Sequence, residues 1–445
     1  MLEMRDLSVP ARGRDDTAAL QAGLNRAEGA GLRLEARTYK ISDTLLIPSG
    51  TILDGAGAVL HSTADDRPIL ASRAYAGPAP LRGRTRITRL RLEGTGRGPG
   101  QHGVVLLDYW SEIAEVEVAT VGGRGIVLAD RDAADRAPTG TLVENRVRDC
   151  AVRGSGRAGI WAGDVANGRL TDGLIRDCII ALAEDAREPA LMIGHAAGWT
   201  IDGIHTYGGR PERAVDLHQA YFTSLTNLYV ESFAQAAVTL AAVQTSVTLS
   251  NLNLVAGEVE TEAAFLELSA HRDFPTPRVL VSNVALWRER GKPMDAVRIA
   301  DTRLILDGGP VLVLGPGASG VRRAGLPGAD TSGGFGSRSV PFAGRAPQSL
   351  VIATADRTEA FQASVVVVVI GRATDGAIVT RWMALASWGR LHPGDPLPQA
   401  DLLPVLAPEG FIAPPRLKIA TESGRLVLKL VFTAAASGPG HVAVA

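Results

Sequence analysis

Apolar and polar positions alternate in short bursts through the middle of the chain, and one six-residue pattern returns eight times. It reads GVVLLD at Gly103, GIVLAD at Gly125, GIWAGD at Gly159, ALMIGH at Ala190, AVDLHQ at Ala214, AVTLAA at Ala237, AFLELS at Ala264 and AVRIAD at Ala296. Successive starts lie 22, 34, 31, 24, 23, 27 and 32 residues apart. The shortest interval matches one coil of a parallel β-helix, and the excess predicts loops inserted at a corner. A second alternating strand precedes each copy, from ITRLRLEG at Ile87 through LSNLNLVA at Leu249 to VSNVALWR at Val281. Two strand columns in register predict a solenoid in which each rung buries its apolar face against its neighbours.

Aligned this way, Leu90, Val116, Cys150, Cys178, Ile204, Leu228, Leu252 and Val284 form one inward ladder. The preceding residue in each strand runs Arg89, Glu115, Asp149, Asp177, Gly203, Asn227, Asn251, Asn283, and three successive Asn at a corner predict side-chain hydrogen bonds along the stack. In the six-residue frame, the second and fourth positions point inward by period-two alternation, and only Glu267 breaks the apolar pattern.

Outside this region, DDTAALQAGLNRAE (15–28) predicts an amphipathic helix with Asp suited to its N-cap and Ala19, Leu20, Ala22, Gly23, Leu24 and Ala27 along one side. Short strands broken at Pro48, Gly50 and Gly55 follow. The expected division is 1–30 as N-terminal segment and capping helix, 31–315 as solenoid, 316–347 as a Gly/Pro-rich linker, and 348–445 as a β-rich domain for trimerisation or carbohydrate binding.

Composition narrows the function. The 445 residues carry a net charge of -1 and no basic stripe, which argues against nucleic acid or anionic lipid as partner. Only four of the 46 basic residues are Lys, a compositional bias. No apolar run is long enough for membrane insertion, and the opening MLEMRDLSVPARGRDD has no apolar signal core, so the expectation is a protein that does not use the general secretory route. Two cysteines, Cys150 and Cys178, make no disulfide framework; as adjacent inward residues they read as buried free thiols. Aromatics at 5% fit a core of Val, Ile, Leu and Ala layers.

The passage DDTAALQAGLNRAEGAG, followed by GLRLEARTYKISDTLLIPSGTILDGAG, resembles the opening of the pectate-lyase-like superfamily of right-handed parallel β-helices, especially its phage tailspike and depolymerase branch. The resemblance implies an all-β fold: a right-handed parallel β-helix closed by a short capping helix, with a C-terminal β-sandwich-like domain. It also implies a polysaccharide ligand. It does not decide chemistry, because the superfamily includes lyases, hydrolases, epimerases and pure binders. Neither the pectate-lyase Arg and calcium-site pattern nor the clustered Asp and Gly-His-Gly of polygalacturonases is present.

Candidate site residues follow from the alternation. On 201–208 and 225–232, His205 and Tyr207 face outward beside Tyr229 and Glu231, and Asn253 and Trp287 continue the two columns. Trp161, Asp216 and His218 are outward on the adjoining strand column. Aromatic faces suit sugar C–H surfaces, while carboxylate and imidazole bind hydroxyls or act as acid and base. Thus His205, Tyr207, Tyr229, Glu231, Trp161 and Trp287 are the carbohydrate-binding candidates, and Glu231, Asp216 and His218 the catalytic ones; the alternative is ordinary solvent-facing residues or a face covered by a trimer neighbour. Trp382 and Trp388 are the next candidates. Asp108, Asp130 and Asp164 end successive frames, where they cap turns or, stacked roughly 5 Å apart, hold a cation. His102 reads as an exposed turn residue, Trp110 as a sugar platform or a corner-packing ring, and EVETE (258–262) as a solvated loop. No cofactor or metal is called for.

Three functions fit. One is a trimeric spike or fibre of a phage or phage-like particle, such as a gene transfer agent, assembled in the cytoplasm, released by lysis, joined to other virion proteins through its N-terminus, and binding capsule or lipopolysaccharide. The second is a depolymerase of that polysaccharide, a hydrolase or lyase. The third is a non-viral carbohydrate-active enzyme or adhesin.

Overall fold

The computed structural model describes residues 14–306 with their side chains, apart from 258, 260–262, 275–276, 289–293, 301–303 and 305, and beyond these the backbone of the strands named below. The helix spans Thr17–Arg26. Leu20, Gly23, Leu24 and Ala27 are buried, whereas Ala19 and Ala22, expected on the same side, are exposed because they flank the narrow stripe that a 3.6-residue period turns inward. The N-terminal aspartates do more than cap. Asp15 accepts from the Thr17 N–H (2.9 Å) and the Ser42 hydroxyl (2.5 Å), while Asp16 makes no side-chain cap and accepts from the Lys40 N–H (3.1 Å). The helix start is thereby fastened to the strand Thr38–Ile41. Gln21 closes the end of the solenoid: its Nε2 donates to Leu46 O (2.9 Å) and its Oε1 accepts from Leu46 N (2.8 Å), occupying an edge that would otherwise template another strand.

Two large parallel sheets form a right-handed parallel β-helix. Among the described residues the first sheet has 15 strands, running from Met4–Asp6 to Ile305–Gly308, and the second has 11, running from Leu45–Ile47 to Ala318–Arg323. The register expected from the repeats holds strand by strand, with Ile87 opposite Ile113, Ile175 opposite Ile201, Leu225 opposite Leu249 and Leu249 opposite Val281.

The inward ladder is real: Leu90 pairs with Val116, Cys178 with Ile204, Ile204 with Leu228 and Leu228 with Leu252, and all are buried. Cys150 and Cys178 are free thiols within it. The residue before the ladder bends every coil, because Arg89, Glu115, Asp149, Asp177, Gly203, Asn227, Asn251 and Asn283 all have φ between 50° and 67°. Asn and Gly tolerate this left-handed conformation, and Asp does so nearly as well. At this bend Asn283 donates to Asn251 (2.7 Å), Asn251 to Asn227 (3.1 Å) and Asn227 to Asp202 (2.6 Å), the expected side-chain ladder with a carboxylate at its end. Hydrogen bonds from Asn227 and Thr226 hold Asp202 below the usual carboxylate range.

The six-residue frame is one rung of the second sheet. At its third copy the opening residue has no room for a side chain: a Cβ at Gly159 would lie 2.2 Å from the Ile180 side chain of the first sheet. One copy is out of step with the sequence alignment. Val238 pairs with Leu266 and Leu240 with Leu268, so the rung at 264 starts one residue later than AFLELS suggests. Glu267 therefore does not break the inward pattern; it lies outward between Thr239 and Arg298, and its carboxylate pairs with Arg213 (3.7 Å) and Arg298 (3.9 Å). A one-residue slip exchanges faces, and burial of Leu266 and Leu268 selects the register seen.

Strand Ala318–Arg323 pairs with Met294–Ile299, so the second sheet continues past the expected limit at 315. Arg338–Phe342, expected within the linker, pairs with the terminal strand Gly440–Val444. The C-terminal strands are antiparallel and fall into sheets of five and three strands among the described residues.

Candidate functional site

Beyond the bend, alternate residues of the first sheet face outward in two columns. One runs Arg91, Glu117, Ala151, Ile179, His205, Tyr229, Asn253; the other runs His61, Glu93, Ala119, Arg153, Ala181, Tyr207. Parallel pairing sets His205 directly opposite Tyr229, and their rings stack with centroids 4.7 Å apart and planes 20° apart. Tyr207 tilts against His205 at 5.1 Å. His205 Nε2 lies 3.3 Å from Glu231 Oε1. The patch is accessible, with Tyr229 38% and Trp287 51% exposed. Trp287 lies in the same sheet opposite Val255, two rungs past Tyr229.

Arg153, which the sequence reading did not single out, completes the patch. It sits two rungs from Tyr207 with the small Ala181 between, and its Nη1 donates to the Tyr207 hydroxyl at 3.2 Å. Coil alignment alone places Arg153 in the Tyr207 column, so a search of that column for long polar side chains would have found it. From Arg153 the face continues as ion pairs, Arg153–Glu117 (3.6 Å), Arg91–Glu117 (3.3 Å) and Arg91–Glu93 (2.7 Å), and His61 lies 3.5 Å from Glu93. The arrangement provides stacked rings, a phenol, an imidazole beside a carboxylate and a guanidinium, on a rigid sheet.

The second-sheet candidates form a separate group. Trp161, Met192 and Asp216 occupy one column turned away from the core, but Met192 and Asp216 are buried rather than exposed as expected, and His218 Nε2 lies 3.1 Å from Asp216 Oδ1. Trp161 is roofed: the Arg124 guanidinium lies 3.5 Å from its ring centroid, and Glu188 holds Arg124 at 2.8 Å and Arg157 at 2.7 Å. Burial raises the Glu188 pKa, but the hydrogen bond and charge of Arg124, with those of Arg157, outweigh it and leave the carboxyl below its ordinary value. The structure thus brings together His205, Tyr207, Tyr229 and Glu231, places Trp287 farther along the same face, and leaves Trp161, Asp216 and His218 on the other sheet.

The frame-ending aspartates are tied to neighbouring loops. Asp108 is buried and accepts from Ser49 Oγ (2.8 Å), Gly83 N (2.9 Å), Thr85 Oγ1 (2.5 Å) and Tyr109 N (3.0 Å). Asp130 accepts from Asp164 N (2.9 Å), and burial raises its pKa. Among the described residues no three His, Cys, Asp or Glu side chains gather as a metal-holding group, and no helix is long and apolar enough to cross a membrane. His102 is not an exposed turn residue. Its Nδ1 accepts from Arg124 N (2.9 Å), and burial, with the charges of Arg124 and Arg157, pushes its pKa down to about 4. Trp110 is 51% exposed. Asp301, which ends the AVRIAD frame, all three acids of EVETE (Glu258, Glu260 and Glu262), and the side chains of Trp382 and Trp388 lie outside the described residues.

No protein-family model matches the chain, and no curated protein does. Solved structures do resemble it. The Azotobacter vinelandii mannuronan C-5 epimerase AlgE4 A-module is 14% identical, with 74% of this chain and 98% of that one covered and a TM-score of 0.49. The tailspike protein of E. coli bacteriophage HK620, solved in complex with a pentasaccharide, is 11% identical over 98% of this chain and 90% of its own, with a TM-score of 0.46. The Acinetobacter phage vB_ApiP_P1 tailspike protein is 11% identical over 99% and 85%, with a TM-score of 0.45.

Proposed function

We propose that the chain is a spike or fibre subunit of a phage or phage-like particle, and that it binds host cell-surface polysaccharide along the outward face of its first sheet. The observation that supports this reading is the His205–Tyr229 stack with Tyr207, Glu231 and Arg153 around it. The Tyr229 ring keeps part of its area exposed, and aromatic rings lie flat against the C–H faces of pyranoses while neighbouring polar groups take the hydroxyls. Trp287 then serves as a second platform on the same face, and a linear glycan running parallel to the solenoid axis meets both. In this reading the subunit is a homotrimer whose assembly uses the β-rich segment after 348.

The test is binding of purified capsule or lipopolysaccharide to the double variant His205→Ala/Tyr229→Ala. The variant is expected to keep its fold and oligomeric state yet lose ~1 to 3 kcal/mol of affinity, the scale of removing hot-spot contacts. Unchanged binding by a correctly assembled variant would remove this face as the site.

Cleavage of the same glycan is a second reading, favoured by one contact. His205 within 3.3 Å of the Glu231 carboxylate forms an acid–base pair in the middle of the patch. Glu231→Gln should then abolish release of shortened oligosaccharides without abolishing binding.

A further inference from the structure

Parallel pairing carries the outward column of Arg153 and Tyr207 onward to Glu231, Val255 and Trp287, because Thr206 faces Val230, Val230 faces Leu254 and Val255 faces Trp287. Glu231 is therefore set among aromatic side chains. Tyr207 is one rung before it, Tyr229 is two residues earlier on its own chain segment, His205 lies 3.3 Å away, and Trp287 is two rungs beyond, roughly 10 Å along the solenoid axis.

Three carboxylates stand in the two outward columns, and their surroundings differ. Glu117 lies 3.3 Å from Arg91 and 3.6 Å from Arg153, and Glu93 lies 2.7 Å from Arg91. Glu231 has no Arg or Lys within 4.0 Å among the described residues; its close partner is the His205 imidazole. An imidazole supplies a counter-charge only when protonated, and one hydrogen bond to Oε1 takes a single position of the roughly four at which a carboxylate accepts. The remainder faces outward, since 40% of the Glu231 side chain is exposed. Arg153 stands three rungs away, engaged by the Tyr207 hydroxyl (3.2 Å) and by Glu117. A carboxylate without a cationic partner, placed among ring faces, suits an ammonium group, which gains an ionic contact with the oxygens and attraction to the π-systems.

We propose, building on the reading of this face as the glycan site, that it takes a sugar with a free protonated amine, a 2-amino-2-deoxyhexose lacking its N-acetyl group. The ammonium meets Glu231 beside the Tyr207 and Tyr229 rings, and a neighbouring sugar of the same glycan reaches Trp287. An N-acetyl or hydroxyl group at that position leaves the carboxylate charge unmatched, and a uronate is repelled by it. With an ammonium on its oxygens, Glu231 binds substrate and does not move a proton.

The experiment titrates the full chain at neutral pH with methyl β-D-glucosaminide and methyl β-D-galactosaminide, each beside its N-acetyl and its hydroxyl counterpart, read by saturation-transfer NMR. At least one amino sugar is expected to bind at least about fivefold tighter than both of its counterparts, the scale of one exposed cation–π or ionic contact. Glu231→Gln, which keeps the shape and the hydrogen bond, should bring that sugar to the level of its counterparts, whereas Glu28→Gln at the capped end of the solenoid should not. Equal binding of amine, acetamide and hydroxyl forms overturns the proposal while the first-sheet reading stands. Absence of binding by all of them overturns it too, and the polysaccharide assay of His205→Ala/Tyr229→Ala then decides the first-sheet reading separately. A preference that survives Glu231→Gln, or that Glu28→Gln abolishes as well, places the ammonium elsewhere and overturns the proposal. So does N-acetyl-lysine amide binding as tightly as the amino sugar, which would make the site a general reader of primary ammonium groups.

Discussion

His102 should make stability depend on pH across a defined window. Its imidazole is half-buried, Nδ1 accepts the Arg124 N–H at 2.9 Å, and its pKa is lowered from 6.5 to about 4 by loss of solvent first and then by the charges of Arg124 and Arg157. The folded protein therefore binds fewer protons at this site than the unfolded chain between those two values. Stability from this group is fully present above pH 6.5 and is lost as pH falls toward about 4. At 1.36 kcal/mol per pKa unit, the depression corresponds to about 3 kcal/mol across the window. Urea denaturation at half-unit steps from pH 4 to 8 measures it, with His102→Gln as the comparison, since glutamine can accept the same hydrogen bond without titrating. The wild-type curve should climb about 3 kcal/mol more steeply than the variant between these limits, and the His102 ring resonances should titrate near pH 4. Parallel stability curves, or a ring that titrates near 6.5, would refute the reasoning.

Three further outcomes test the fold. Asn251 has φ of 54° and two ladder hydrogen bonds, so Asn251→Ala should destabilise by about 2 kcal/mol, whereas Asn251→Gly, which accepts the backbone angle, should cost about half as much in the same denaturation assay. Leu228→Ala opens a cavity between two packed rungs and should cost about 2–5 kcal/mol, read as a drop in the denaturation midpoint. For Asp54, burial raises the pKa, but Arg89, the Ala56 N–H and Arg33 outweigh it and leave the carboxyl below 3.8; its stabilisation is present above that value and disappears as pH falls through the folded one, so Asp54→Asn should flatten the acid limb.

The repeating architecture was legible because in a solenoid the partner of each residue is the equivalent residue one coil away. Period and polarity then settle which strands pair and which face is buried, as they did for the ladder from Leu90 to Val284 and for the stack of Asn227, Asn251 and Asn283. They also place His205 beside Tyr229. The same logic failed where the repeat carries no information. The start of the rung at 264 depended on burial of Leu266 and Leu268, since small and apolar residues fit either of two registers one residue apart. Inserted loops have no period at all. Which hydrogen bonds Asp108 receives from Ser49, Gly83 and Thr85, how His102 meets the Arg124 backbone, and how Arg124 and Glu188 roof Trp161 all follow from segments meeting across 22 to 64 residues of chain. Arg153 reaches Tyr207 only because Ala181 leaves room between them. Local pattern determines which side of a strand is apolar; packing among segments without a repeat determines which polar groups are left to meet a ligand.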